Sequence, residues 1–324
     1  MNNMRFIDLH CDTIVCEVHR SCGKKNLRSN PEGHLDLLRM KEGGALMQCF
    51  ALFIPTPSVD PETEKEVSAW EFFNLAADCY EKEIAANSDL IAPALTAEDI
   101  EKNAAAGKMS AMLTVEDGVP LDGKIERVDE MFRRGVRIVT LTWNHENSLG
   151  FPNISAPEKG LKPFGIEALR RMNELGIVAD CSHLSDGGFW DLVKYSTKPF
   201  VATHSNARAQ CDIFRNLTDD MLRALADKGG VTGLNYSADF LVEKASHTFI
   251  SDIVRHAKHI ADVAGVETIA LGSDFDGIDC TLEYKDVAGM PMVEEALNRV
   301  FTAREVDLIT HKNAMRVLRD CIGK

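Results

Sequence analysis

Residues 177–206 read IVADCSHLSDGGFWDLVKYSTKPFVATHSN, and they contain the unit that decides the fold. Two short apolar runs, Ile177–His183 and Pro199–His204, have the length and the Val, Ile and Ala content of strands buried on both faces. The segment between them has helical periodicity. A strand, a helix and a second strand in this order form a parallel unit, so the chain is expected to contain a parallel sheet.

The same alternation extends along the chain in both directions. Six further strands are predicted at Met4–Cys11, Gly44–Ile54, Met109–Glu116, Val136–Trp143, Gly230–Asn235 and Thr268–Asp274. Helical segments between them end at Gly176 and at Gly229, which is typical of a helix C-terminus. Residues 55–107 interrupt this rhythm, and we predict that they form a mostly helical insertion.

Eight strands that alternate with helices fit either a closed barrel or an open, doubly wound sheet. No GxGxxG or GxxxxGK[ST] motif follows the first strand, so a nucleotide-binding open sheet loses its main support. Nearly every predicted strand ends in His, Asp, Glu or Asn, and (β/α)8 barrels assemble their active sites at that edge. We therefore predict a (β/α)8 TIM barrel, forming one domain over residues 1–324.

The composition is that of an ordinary globular protein, with 324 residues of which 45% are hydrophobic and 27% charged. The net charge of −14 argues against nucleic acid or an anionic membrane as a partner. Met1–Phe6 leads into the first strand without the apolar core of a signal peptide, so the cytoplasm is the expected compartment. The nine cysteines show no CxxC spacing, so neither a disulfide framework nor a Cys-ligated zinc site is expected.

Polar residues with metal-binding chemistry stand at the ends of the predicted strands. His10 and Asp12 are two residues apart, so on a strand both side chains point to the same face and can bind one cation. Alone, this pair carries little weight, because His-x-Asp arises often by chance. Glu116 is preferred to Asp117 as a third ligand because it continues its strand directly, although a turn acid or helix cap is the structural alternative.

Two more strands end in His183 and His204, and a single His in such a place is usually only hydrogen-bonded. The combined set of three imidazoles and two carboxylates comprises His10, Asp12, Glu116, His183 and His204. It suits two adjacent divalent ions that share a bridging carboxylate, with Zn²⁺ expected and Mn²⁺ or Co²⁺ as alternatives. Such a pair activates a bridging water as hydroxide at neutral pH. Asp274 is a further ligand, a general acid and base, or a cap.

Beyond this set, the sequence resembles the membrane (renal) dipeptidase family, peptidase family M19, among the amidohydrolase-like barrels. The matching blocks follow the family order and are DLHCDT, VEDG, DCSHLS, THSNA, RNLTDD, SDFDG and NAMRVL. The resemblance implies that His10 and Asp12 hold one zinc ion. His183 and His204 are implied to hold a second, with Glu116 bridging both.

The resemblance also implies roles in substrate binding. Arg215 falls where the family binds the substrate carboxylate, and Asp274 where it contacts the amino end and moves a proton. The family commonly places a His after the Leu-Thr-Leu-Thr strand to contact the substrate carbonyl, but here Trp143 occupies that position. His145, two residues later, is expected to take the role. The implied activity is hydrolysis of dipeptides, including those with a C-terminal D-residue, and the implied assembly is a homodimer.

Two other functions stay open at this point. One is a different amidohydrolase activity, such as deamination or cyclic-amide hydrolysis, but such relatives often bridge their metals with a carbamylated Lys. No Lys ends a predicted strand here. The other is a non-catalytic metal-containing barrel, against which the intact ligand set and Asp274 argue.

Overall fold

The computed structural model describes residues 5–323. The strands are β1 Phe6–Cys11, β2 Ala45–Phe53, β3 Ile91–Pro93, β4 Met109–Glu116, β5 Val136–Thr140, β6 Val178–Asp180, β7 Val201–Ala202, β8 Val231–Leu234, β9 His247–Thr248, β10 Ile269–Leu271 and β11 Thr281–Leu282. Eight of them, β1, β2, β4, β5, β6, β7, β8 and β10, pair in parallel around a ring that closes between β10 and β1. The predicted (β/α)8 barrel is therefore confirmed.

Helices alternate with the barrel strands. The α-helices are α1 Leu37–Gly43, α2 Ala69–Ala86, α3 Ala97–Ala105, α4 Glu126–Arg133, α5 Pro163–Leu175, α6 Asp186–Tyr195, α7 Asp219–Asp227, α8 Ala238–Leu241, α9 Ile250–Ala264, α10 Met290–Leu297, α11 Ala303–Asp307 and α12 Asn313–Ile322. Wider π-helical turns span Thr13–Val18 and Leu308–Lys312. Local sequence sets the helix ends, since Thr96 and Asp99 form a capping box at α3, and α5 ends at the left-handed Gly176.

The insertion predicted at residues 55–107 contains the helices α2 and α3. It also contains β3, whose three residues pair with the first half of β4 beside the ring. A run of three residues is too short to show a period of two, so the sequence pattern could not reveal this strand.

Apolar side chains fill the barrel toward the amino ends of the strands. This interior cluster comprises Ile7, Leu9, Met47, Cys49, Met112, Ile138, Val178, Val201, Val231 and Ala270, with Ala314, Met315, Val317, Leu318 and Cys321 of α12. α12 contacts β6, β8 and β10, so it closes that end of the barrel. The predicted metal ligands lie at the opposite, carboxyl ends of the strands, where barrel active sites are assembled.

Several strands end earlier than predicted. The predicted ends at Trp143, His183, His204, Asn235 and Asp274 are replaced by Thr140, Asp180, Ala202, Leu234 and Leu271. The reason is that the chain must turn sharply to direct polar side chains into the barrel mouth. His183 and Asp274 adopt φ values of 67° and 64°, which lie outside the extended region of a strand.

Residues 1–4 are not among those described, so the predicted start of β1 at Met4 and the interpretation of Met1–Phe6 lie outside the described residues. Between residues 5 and 323, no helix is long and apolar enough to cross a membrane. All nine cysteines fall within this range as unpaired thiols.

Candidate metal centre

The carboxyl ends of five barrel strands bring the predicted ligands together at one mouth of the barrel. β1 and β4 supply His10 and Glu116, while the turns after β1, β6, β7 and β10 supply Asp12, His183, His204 and Asp274. All six side chains are buried, with residue exposures between 0% and 8%. A buried cluster of this kind needs partners for each polar atom, because an unpartnered polar atom in a protein interior is costly.

His10 lies at the centre of the cluster. Its Nε2 atom is 3.5 Å from Asp12 Oδ2, and it is 3.8 Å from both Glu116 Oε2 and Asp274 Oδ1. Two overlapping groups, His10–Glu116–His204 and His10–Asp12–Asp274, each have ligand atoms within 4.8 Å of one another. Each group could hold a cation, and both include His10.

The carboxylate of Glu116 lies between His10 on one side and His183 and His204 on the other. Oε1 is 3.0 Å from His183 Nε2 and 3.5 Å from His204 Nε2, whereas Oε2 faces His10. Asp117 does not take this place. It accepts hydrogen bonds from Val119 N and Asn147 Nδ2, so it organises the following loops.

Hydrogen bonds fix the protonation of His204. The Thr203 hydroxyl donates to Asp180 Oδ2 at 2.6 Å, so it accepts a hydrogen bond from His204 Nδ1 at 2.7 Å. A proton on Nδ1 leaves a lone pair on Nε2, which points to the centre. Outer groups that orient metal-binding imidazoles act in this way.

Burial lowers the pKa of both His183 and His204 well below the usual range, with the charge of Arg215 adding to the effect. Both rings are therefore neutral, as metal-binding imidazoles must be. Their Nε2 atoms lie only 3.1 Å apart. At this separation, one cation could contact both nitrogen atoms.

Asp180 is a residue that the sequence analysis missed. It is fully buried and accepts hydrogen bonds from the Thr140 and Thr203 hydroxyls and from the Ser182 and Thr203 backbone amides. It thereby joins β5, β6 and β7 just below His183 and His204. An acid within the apolar run Ile-Val-Ala-Asp was the available signal, because a buried charge requires such partners.

The turn after β10 shows that space at the centre is tight. Asp274 and Asp276 both have positive φ values, 64° and 65°, and backbone strain of this kind concentrates at functional sites. Gly277 follows them, and a Cβ atom at this position would overlap Asp12 Oδ2 and Asp274 Oδ1. Only glycine allows the turn to pass so close to the two carboxylates.

The acids of the centre are held in an unfavourable environment. Burial raises the pKa of Glu116 well above its usual range, and the neighbouring Asp12 adds to the effect. Burial likewise raises the pKa of Asp274 to about 6. Bound cations would relieve this crowding of buried carboxylates, because opposite charge favours the ionised form.

A cavity of about 250 Å³ opens onto the centre. Besides Asp12, Glu116, His183 and Asp274, its walls include Phe53, Trp143, Asn144, Arg215, Phe240, Ile278 and Asp279. Arg215 is 5% exposed and makes only long hydrogen bonds of 3.4 Å, to Ser205 Oγ and to the His204 carbonyl. Within residues 5–323 its Nε atom has no hydrogen-bond partner, so its guanidinium has unused donors.

The structure corrects the prediction for His145. Its side chain is exposed, its ring lies 5.6 Å from that of Trp143, and it does not line the cavity. The loop after β5 instead presents Trp143 and Asn144 to the cavity. Asn144 Oδ1 is 3.0 Å from His183 Nδ1, a contact that the sequence pattern could not indicate.

The sequence model of the family described as membrane dipeptidase (peptidase family M19) matches residues 1–322. The chain belongs to this family. The predicted resemblance is confirmed, and membership makes the chain a metallo-dipeptidase, a peptide-bond hydrolase that uses a divalent metal.

The chain is also similar to individual proteins and solved structures. An uncharacterised Klebsiella pneumoniae protein from the pqqA 5′ region is 36% identical over 236 residues, covering 70% of the chain and 87% of that protein. A crystal structure of a family M19 metallopeptidase, dipeptidase AC, matches with a TM-score of 0.88 and 27% identity over 100% of both chains. A Rhodobacter sphaeroides metallopeptidase, liganded with a phosphinate mimic of L-Ala-D-Ala, matches with a TM-score of 0.87 and 26% identity over 98% and 99% of the two chains.

Proposed function

We propose that this M19 member hydrolyses dipeptides, including those with a C-terminal D-residue, by means of two divalent cations at this centre. Zn²⁺ is the expected metal. The observation that carries the proposal is a pair of buried atoms, His10 Nε2 and Asp12 Oδ1, that have no hydrogen-bond partner within residues 5–323. Leaving such an atom unpaired costs about 1–3 kcal/mol. His10 Nε2 also faces Glu116 Oε2 at 3.8 Å, so a bound cation would provide the missing partner.

The donor set fits this metal pair. Imidazole nitrogens and carboxylate oxygens without a thiolate suit Zn²⁺, Mn²⁺ or Co²⁺. His10 and Asp12 would hold one cation, and His183 and His204 the second. Glu116 would contact both, because its two oxygens face different imidazoles. When bound, two such cations polarise the amide carbonyl and lower the pKa of water to about 7.

Asp274 has the position and the chemistry to move the proton. Its Oδ2 atom accepts a hydrogen bond from Asn235 Nδ2 at 2.8 Å, which leaves Oδ1 directed toward His10 and the cavity. The Asp274 carboxylate would accept a proton from the attacking water and return it to the departing amine.

Arg215 would bind the C-terminal carboxylate of the substrate. A guanidinium can grip a carboxylate through two parallel hydrogen bonds, and Arg215 has donors that no carboxylate between residues 5 and 323 occupies. The cavity is also small, about 250 Å³ against roughly 300–1,000 Å³ for drug-sized ligands. A fixed carboxylate in a small cavity restricts the enzyme to dipeptides.

Arg215→Met tests this binding role. The change removes the charge but keeps an unbranched side chain, and we expect kcat/KM for dipeptides to fall about 10- to 150-fold, since a charged hydrogen bond contributes about 1.5–3 kcal/mol. Dipeptide amides, which lack the carboxylate, are expected to be equally poor substrates of both enzymes. An equal loss on acids and amides would instead show that Arg215 only supports the fold.

A panel of substrates tests the proposed function itself. Zinc-loaded protein would be assayed with L-L and L-D dipeptides, a tripeptide, a cyclic dipeptide and deamination substrates. Release of amino acids from L-L and L-D dipeptides, without cleavage of the tripeptide, is the expected result. Turnover confined to the cyclic or deamination substrates would assign another amidohydrolase reaction. Absence of all turnover with two metals bound would indicate a non-catalytic barrel.

A further inference from the structure

We propose that Asn144 is a catalytic residue whose side-chain N–H donates a hydrogen bond to the scissile carbonyl oxygen. The inference rests on the proposed function, because it concerns the same reaction in the same cavity. It names a stabilising donor in place of His145, which lies outside the cavity.

The hydrogen-bond pattern determines which end of the Asn144 amide is available. His183 directs Nε2 toward Glu116 Oε1 at 3.0 Å and toward His204 Nε2 at 3.1 Å. With a cation on Nε2, as proposed, the ring proton must be on Nδ1. The partner of Nδ1 at 3.0 Å must then be an acceptor, which assigns that position to Asn144 Oδ1.

The amide nitrogen of Asn144 is consequently left with two N–H donors. Within residues 5–323, Nδ2 of Asn144 has no hydrogen-bond partner, and the side chain lines the cavity together with Glu116, Arg215 and Asp274. A donor without a protein partner, in the wall of a substrate cavity, is available to a substrate oxygen.

The loop that carries Asn144 is held in place. Asn147 donates through Nδ2 to Asp117 Oδ1 at 2.7 Å and to the Leu141 carbonyl at 2.8 Å. The backbone carbonyl of Asn147 accepts a hydrogen bond from Lys162 Nζ at 2.6 Å. A donor fixed in advance stabilises developing charge well, because little reorganisation is needed during the reaction.

The chemical step explains why such a donor accelerates hydrolysis. As the oxygen of water bonds to the carbonyl carbon, the π electron pair moves onto the carbonyl oxygen, which becomes negative. A hydrogen bond from Asn144 strengthens as this charge develops. When the electron pair returns, the C–N bond breaks and the amine leaves with the proton carried by Asp274. The donor therefore stabilises the transition state more than the substrate.

Two variants separate the donor role from its alternatives. Asn144→Asp keeps an oxygen acceptor for His183 but removes the N–H donors, whereas Asn144→Leu removes both without adding charge. Each would be saturated with zinc, its metal content measured, and kcat, KM and the Kd of a phosphinate dipeptide mimic determined. We expect both variants, at full metal content, to lose kcat about 10²- to 10³-fold and to bind the phosphinate more weakly, with KM changed little. Glu146→Gln, an exposed change on the same loop, is the matched control.

The other outcomes overturn the proposal in distinguishable ways. A loss only in Asn144→Asp would reflect charge repulsion, and a loss only in Asn144→Leu, together with reduced zinc content, would reflect orientation of His183. Unchanged kcat in both variants, or a comparable loss in His145→Gln, would also refute it. If the wild-type protein cleaves no dipeptide, the proposed function fails first and the inference falls with it.

Discussion

Glu116→Gln is expected to lower kcat/KM for dipeptides by about 10³- to 10⁴-fold. The carboxylate lies between His10 on one side and His183 and His204 on the other. An amide of the same size has one oxygen and no charge, so it cannot balance two cations. Electrostatic stabilisation by such cations contributes several kcal/mol, and each 1.36 kcal/mol changes the rate tenfold.

Metal content and thermal stability check this prediction independently of turnover. The number of zinc ions bound per chain should fall below two in the variant. The rise in Tm on adding zinc should also be smaller than for the wild type, because a ligand that binds the folded protein more weakly stabilises it less. Asp117→Asn is the matched control. It is the neighbouring buried acid, and its replacement keeps an oxygen for Val119 N and Asn147 Nδ2. Full zinc content and full activity in Glu116→Gln would contradict the bridging role.

Asp274→Asn is expected to lower kcat by about 10²- to 10⁴-fold, the range that general acid–base catalysis contributes. The amide oxygen can still accept from Asn235, so the introduced NH₂ group would occupy the place of Oδ1 near His10. This group cannot accept a proton from water. Because the side chain keeps its shape, binding of two zinc ions and KM should change little.

The measurement for Asp274 is therefore steady-state kinetics together with metal analysis. Glu267→Gln, at an exposed acid that precedes β10 and does not line the cavity, serves as the control and should retain kcat within a few-fold. Loss of one zinc ion in Asp274→Asn would make Asp274 a metal ligand rather than a proton carrier. If kcat is retained with both zinc ions bound, Asp274 is neither a metal ligand nor a proton carrier. Its hydrogen bond with Asn235 would then be a structural contact.

Much of the fold followed from local pattern. The eight barrel strands were predicted in the right order, and β4 was predicted residue for residue at Met109–Glu116. Continuous apolar runs predict strands buried on both faces, and glycine marks helix ends, so both signals are local. The errors lie where the chain leaves this pattern, at the turns after β5, β6, β7, β8 and β10 and at the short β3.

The cluster of His10, Asp12, Glu116, His183 and His204 was also accessible from the sequence. The reason is topological, because the carboxyl ends of parallel strands in a closed barrel must meet at one mouth. A polar residue at each strand end therefore implies proximity without any knowledge of distances. The family resemblance added Arg215, which lies in the wall of the same cavity.

The sequence by itself thus determined the barrel, the order of its strands and the residue types at its mouth. Only the tertiary structure decided which side chains of the turns face the cavity. Leu9 and His10 are adjacent in β1, so regular strand alternation would point their side chains to opposite faces of the sheet. The pairing of β1 with β2 is irregular between Asp8 and Cys11, and both side chains lie inside the barrel. Asn144 likewise reaches His183 while His145 is exposed, because Asp117 and Asn147, brought together by folding, set the course of their loop. Strand pairing and loop hydrogen bonds join residues distant in sequence, so no local pattern contains this information.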